Sequence, residues 1–247
     1  MIQDIGTLIW KELREVFLNR GNMRGGLWST LIYLGLLGVF MPIQTGRGWL
    51  SEPFLPLIWS WLPVLLALSV VTDAFAGERE RHTLETLLAS RLTDQTILFG
   101  KIAAAVVYAW GIGVAGFLLA AVTINVAFPE GGLIFYSLET FFIVLSLSFL
   151  ATLLISVIGV MVSLRSETTR QAYQRVSIVL MALIFLPVLA SQLLPADVVG
   201  RVMIRLSGLN LRTLLLGAIG VLLVVDAVLL GVAVKTFRRN ELVMLIS

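Results

Sequence analysis

Residues 54–76 read FLPLIWSWLPVLLALSVVTDAFA, residues 77–96 read GERERHTLETLLASRLTDQT, and residues 97–128 read ILFGKIAAAVVYAWGIGVAGFLLAAVTINVAF. Two apolar runs flank a polar island, and each run reaches the roughly 20 residues that a helix needs to cross a bilayer. The same alternation extends outward in both directions. Upstream lies a run from about Leu27 to Ile43; downstream lie runs at about 140–163, 176–194 and 213–234. The chain is 58% hydrophobic and 13% charged, where a soluble domain carries about 25% charged residues. These observations predict an all-α, polytopic membrane protein with six transmembrane helices, and they exclude a soluble enzyme.

Its parts divide at 1–26, 27–234 and 235–247. In the first part Ile5, Leu8, Ile9, Leu13, Val16 and Phe17 recur three and four residues apart, with Lys11, Glu12, Arg14 and Glu15 between them. That pattern describes an amphipathic helix lying in the membrane interface, followed by the cationic stretch from Arg20 to Arg24. Asp4, Glu12 and Glu15 argue against a cleavable signal peptide. Within 27–234, Gly35 and Gly38 offer close packing of the first span, and Trp49 an interfacial anchor. Pro56 and Pro63 mark kinks in the second span, with Trp59 and Trp61 at its outer end. Thr93 and Asp94 announce the start of the third, and residues 133–139 a piece dipping into the outer interface before the fourth. The last part, 235–247, is a cytoplasmic tail.

Six spans with both termini inside place 14 of the 18 Lys and Arg residues on inner segments and leave Arg47, Arg201, Arg205 and Arg212 outside. By the positive-inside rule both termini are then cytoplasmic, in the cell membrane. Lys101, at the start of the third span, reads as an inner-interface anchor.

The island has its own pattern. Leu84, Leu87, Leu88 and Leu92 fall on one helical face, preceded by Glu78, Arg79, Glu80 and Arg81. A leucine ridge with a charged rim suits docking into a groove on another protein, whereas a merely solvated loop has no use for four leucines.

The run Glu80-Arg81-x-Thr83-Leu84-Glu85-x-Leu87-Leu88, followed by Gly100-Lys101, resembles the signature of ABC-type-2 permeases, the membrane subunits of ATP-driven exporters. Trp10-Lys11-Glu12-Leu13-Arg14 followed by Arg20 resembles the connecting helix of the same family. His82 and Arg91 depart from it, standing where that family often has glycine and proline. The resemblance implies a coupling helix within 77–96, formed by Glu78, Arg79, Glu80, Arg81, Thr83, Leu84, Glu85, Leu87, Leu88 and Leu92, seated on a cytoplasmic ABC ATPase. It implies two ATPase copies and a second permease chain, identical or homologous, within membrane lipid; no nucleic acid is expected. ATP and Mg would sit on the partner, because a phosphate-cradling Gly-x-x-x-x-Gly-Lys-Ser/Thr loop is missing here. The string from Gln95 to Ile102 holds only Gly100-Lys101 of it. This chain is accordingly expected to bind no cofactor and to be no enzyme.

Other residues carry competing readings. Asp226, deep in the sixth span, is a candidate for the transport path or a structurally paired carboxyl. On that residue rests the alternative of a stand-alone secondary transporter or channel. Arg201, Arg205 and Arg212 approximate one outer stripe, able to hold lipid phosphates or an anionic substrate, or to snorkel to headgroups. Asp73 and Glu139 read as solvated span ends. With one histidine and no cysteine a transition-metal site is not expected. Neither a Gly-x-Ser-x-Gly elbow nor a His-Glu-x-x-His helix is present, which disfavours a membrane hydrolase.

Overall fold

Pro63 has no amide hydrogen, and the second apolar run breaks just ahead of it. In the computed structural model, which describes residues 2–18, 23–195, 197–201, 208 and 210–237, helix α5 (Phe54–Trp59) stops at a turn over Ser60 and Trp61. Helix α6 (Leu62–Asp73) then opens with Pro63 in its first turn, where a missing donor costs nothing. The other helices are α1 (Ile2–Leu18), α2 (Met23–Gly35), α3 (Met41–Thr45), α4 (Gly48–Ser51), α7 (Ala76–Glu80), α8 (Leu84–Leu88), α9 (Asp94–Ala127), α10 (Leu138–Leu164), α11 (Thr169–Leu193) and α12 (Leu211–Thr236). A single π-helical turn, Leu36–Phe40, joins α2 to α3. Among the described residues there are no strands.

Five stretches among the described residues are long and apolar enough to cross a membrane: Trp28–Thr45, Phe54–Glu80, Asp94–Ala127, Leu138–Leu164 and Leu211–Thr236. The chain is an all-α polytopic membrane protein. The expected span at 176–194 falls in α11, which is not among these five, so the count of six is not reached. Helix α11 opens at Thr169 and takes Arg170 and Arg175 into its first turns, so the polar island expected at 165–175 is largely helix. Arg20, Arg205, Arg238 and Arg239 lie outside the described residues, as do the side chains of Phe17, Arg24 and Leu88.

Helix α9 is the central post, packed against α1, α2, α6, α10 and the π turn; α10 also packs against α6, α11 and α12. Close approach depends on missing side chains. A Cβ on Gly159 of α10 would stand 2.1 Å from Val71 of α6, and one on Gly38 would stand 2.6 Å from Leu119 of α9. Gly35, expected to do the same, has nothing within 4 Å. Four residues on from Gly38 stands Pro42, which has no amide hydrogen to give the Gly38 carbonyl, and the Thr123 hydroxyl of α9 donates to that carbonyl at 2.7 Å. Helix starts are capped as their sequences suggest: Thr93 accepts from the Thr96 amide at 3.2 Å and Ser137 from the Thr140 amide at 3.1 Å.

We term the end carrying residues 74–94 basal and the opposite end apical. At the apical end the Arg47 guanidinium donates to the carbonyls of Phe128, Glu130, Gly131 and Gly132, gathering the turn after α9. Trp49, expected as an interfacial anchor, is fully buried and donates through Nε1 to the Tyr136 hydroxyl at 3.0 Å. Tyr136 in turn donates to the Phe117 carbonyl at 3.2 Å. Residues 132–137 are not helical; Tyr136 packs back on the bundle, while Leu133, Phe135 and Leu138 are exposed.

Candidate functional site

The four consecutive charges of the island go four separate ways, because one turn of α7 points them around its axis. Glu78 turns into the bundle and is buried. Arg79 donates to the Leu164 carbonyl at 3.2 Å and to that of Ser166, where α10 ends. Glu80 accepts from the Thr169 amide at 2.9 Å and from its hydroxyl, standing at the amino end of α11, where a carboxylate is favoured. Arg81 forks onto Asp73 of α6 at 3.1 and 3.3 Å. Burial works against the Arg81 charge, but the hydrogen bonds and charge of Asp73 outweigh it and hold the guanidinium above its ordinary pKa. Asp73, expected to be a solvated span end, is thus paired.

Glu78 meets a partner that the sequence reading placed elsewhere. Lys101, taken for an interfacial anchor, has a side chain only 1% exposed, and its Nζ lies 2.9 Å from Glu78 Oε1 and 2.9 Å from Glu12 Oε1. A lysine within an apolar helix cannot remain charged and buried without such partners. Glu12 arrives on α1, whose Leu8, Glu12 and Val16 form one buried stripe against the bundle. Gly100 makes room: a Cβ there would stand 2.4 Å from Leu8. The Lys101 ammonium also sits 5.1 Å from the centroid of the Phe75 ring, and Phe75 packs on Phe237 at the end of α12. Between α6 and α7 the helix is interrupted, and Ser163 of α10 repairs the gap. Its hydroxyl accepts from the amides of Phe75 and Ala76 at 3.1 and 3.0 Å and donates to the Thr72 carbonyl at 3.0 Å.

These contacts join α1, α6, α7, α9, α10 and α11 at one end of the bundle. Lys101, Glu12, Phe75 and Ser163 were missed as members of it. Glu12 does carry a signal, since it interrupts an apolar i, i+4 stripe; Ser163 carries none.

The leucine ridge differs from expectation. Leu84 is buried in the core, Leu87 and Leu92 are half-buried against it, and the side chain of Leu88 is not described. The apolar face holds the island to its own bundle, and the outward surface is polar: Arg81, His82, Thr83, Glu85, Thr86 and Arg91. His82 has φ 55°, the left-handed region that suits glycine, and it turns the chain from α7 into α8. Between the island and α1 opens a cavity of about 560 Å3, with Leu8, Val16, Leu87 and Leu92 among its apolar walls.

Asp226 stands apart from this site. It is buried on α12, and neither carboxyl oxygen has a hydrogen-bond partner among the described residues. Arg201 and Arg212 do not share one helix: Gly208 lies in a turn, and α12 starts after Asn210. Arg201 pairs with Asp197 at 3.0 Å and Arg212 with Glu139 at 2.9 Å, so their charges are already met within the chain. Glu139, too, is a paired end and not simply a solvated one.

A family model described as ABC-2 family transporter protein matches residues 16–217. The chain belongs to this family. The match covers the island, Lys101 and Ser163, and stops before Asp226. Membership makes the chain a membrane subunit of an ABC transporter and implies an ATPase partner. No curated protein matches the chain.

Proposed function

We propose that this chain is the permease subunit of an ABC exporter. It would couple ATP hydrolysis on a separate cytoplasmic ATPase to movement of a substrate across the cell membrane. In this reading the basal end and both termini face the cytoplasm, α11 supplies the sixth span, and two permease chains work with two ATPases. ATP and Mg are bound by the partner, and this chain performs no chemistry of its own. The observation that carries the reading is the wiring of Glu78, Arg79, Glu80 and Arg81. Displacement of the island is passed by Glu78 through Lys101 to α9 and α1, by Arg81 to α6, and by Arg79 and Glu80 to the α10–α11 junction. A push on the polar face of α8 then moves several spans as one body, the kind of motion that alternates a transport path between two states.

Purification in mild detergent tests the reading. An ATPase should co-purify, and charge reversal at exposed Glu85 and Arg91 should release it while the bundle stays folded. Recovery of the chain alone under several gentle conditions would rule against coupling. A second reading takes Asp226, whose carboxyl has no hydrogen-bond partner among the described residues, as a titratable group on a transport path within the spans. In it Asp226→Asn abolishes transport whether or not ATP is supplied; ATP-dependent transport at the parental rate in that variant removes Asp226 from the path.

A further inference from the structure

Two arginines at the basal end meet each other instead of an acid. Ile158, Met161, Val162 and Arg165 follow one stripe of α10 to its end, and Arg175 comes across from α11, which packs on α10. Together they line a groove of about 330 Å3. Its three apolar walls are half-buried, and both arginines are exposed. Arg175 donates through Nη1 to the Arg165 carbonyl at 3.1 Å, which fixes its head beside the turn that carries the other guanidinium. Among the described residues neither guanidinium has a carboxylate partner, neighbouring Glu167 included. By contrast Arg81 has Asp73, Arg201 has Asp197 and Arg212 has Glu139. Glu80, the acid that reaches this junction, is taken up by Thr169. Two like charges gathered over an apolar groove repel each other, and an anion shared between them removes that cost.

We infer that this groove binds an anionic phospholipid of the leaflet at the basal end. Arg165 and Arg175 bridge its phosphate, and an acyl chain lies along Ile158, Met161 and Val162. Guanidinium is the side-chain cation best shaped to hold phosphate oxygens. Arg165 closes a helix long enough to cross the membrane, so the two heads stand at headgroup depth while the apolar walls run back toward the hydrocarbon. Basic pockets between spanning helices are where anionic headgroups settle. Arginines that merely snorkel reach separate headgroups, whereas the Arg175 bond to the Arg165 carbonyl brings these two to one. A bound lipid braces the α10–α11 junction that Arg79 and Glu80 also hold, so island and bilayer act on the same joint. The inference takes from the proposed function only that α11 spans the membrane, and it requires no ATPase.

The test titrates the delipidated chain in detergent with phosphatidylglycerol and with phosphatidylcholine, reading bound lipid by native mass spectrometry. Phosphatidylglycerol should bind about tenfold more tightly. Arg165→Gln with Arg175→Gln should abolish that preference, and Arg165→Lys with Arg175→Lys should keep part of it. The thermal midpoint without lipid checks the fold. If the double variant does not fold, Arg165→Gln decides alone, since the bond between the two residues uses only the Arg165 backbone. Arg14→Gln with Lys235→Gln removes the same charge from other exposed basal positions and should leave the preference intact. An equal loss in that control would reveal a diffuse basic surface and overturn the groove. An unchanged preference in folded Arg165→Gln with Arg175→Gln would overturn it as well. Displacement of the lipid by an equal concentration of glycerol phosphate would replace it with a soluble anion. None of these readouts involves the ATPase, so the coupling reading stands or falls separately.

Discussion

The two ends of the bundle are held by different chemistry. At the basal end, segments far apart in sequence meet through ionised side chains: Glu12 on α1, Glu78 on α7 and Lys101 on α9. At the apical end, Arg47 collects backbone carbonyls, Trp49 and Tyr136 share a hydrogen bond, and Asn125 bonds both the amide and the carbonyl of Ile134. Side chain on backbone fixes one arrangement, because the carbonyls have no other place to go. Side chain on side chain can be re-partnered, because each carboxylate accepts several donors. The contrast is one of proportion, since Arg79 and Ser163 also hold backbone at the basal end, but the ion pairs that can be re-partnered, at Glu12, Glu78 and Lys101, lie where a partner is expected.

The largest expected effect tests the basal end. Lys101→Met leaves Glu12 and Glu78 buried without their shared cation and should destabilise the bundle by about 3–5 kcal/mol, read as a lowered thermal midpoint in detergent. Adding Glu12→Gln and Glu78→Gln to that variant should recover most of the loss. A small drop in the single variant would mean that the charges are solvated and that the basal end is no junction. Next comes Ser163→Ala, which strands the amides of Phe75 and Ala76 and should cost about 1–3 kcal/mol for each group left unsatisfied. Proteolysis around residues 74–76 would report the loosened break.

At the apical end Trp49→Phe removes one buried hydrogen bond and should cost about 1 kcal/mol. Its penalty should be the same at low and high salt, whereas exchanging Asp73 and Arg81, half-exposed at the basal end, should matter less as salt rises. A salt-sensitive Trp49 variant would blur the distinction between the ends. The smallest effect is a gain. His82→Gly relieves a positive φ but frees the unfolded chain, so stability should rise by less than about 1 kcal/mol. A loss at that position would show that the histidine ring makes a contact worth more than its strain.

Much of the architecture was legible because bilayers impose length. The runs at 97–128 and 140–163 became α9 and α10, the first with its cap at Thr93 as read, and Pro63 fell beside the break in the second span. The island was legible as a unit, but its leucines were read outward when Leu84 faces in. Periodicity gives a face and not its direction, and a short helix has apolar neighbours of its own to choose from. Lys101 was misread for a related reason. A lysine near a span end usually reaches for the interface, and only the approach of α1 over Gly100 shows that the interface is not what it meets. Trp49 makes the same point at the apical end, where an aromatic residue in a loop found Tyr136 instead of the headgroups.

Helix α12 leans on the bundle along a single seam. Only Asp226 and Ala233 of its residues are buried, and its two ends are tied by Arg212 to Glu139 and by Phe237 to Phe75. It is also the last of the described helices to leave the ribosome. Most partners of the post precede Leu211 in the chain, whereas α10 waits for α12 and Phe75 for Phe237, so the final helix arrives as a strut that closes the one face of α10 the earlier helices leave open.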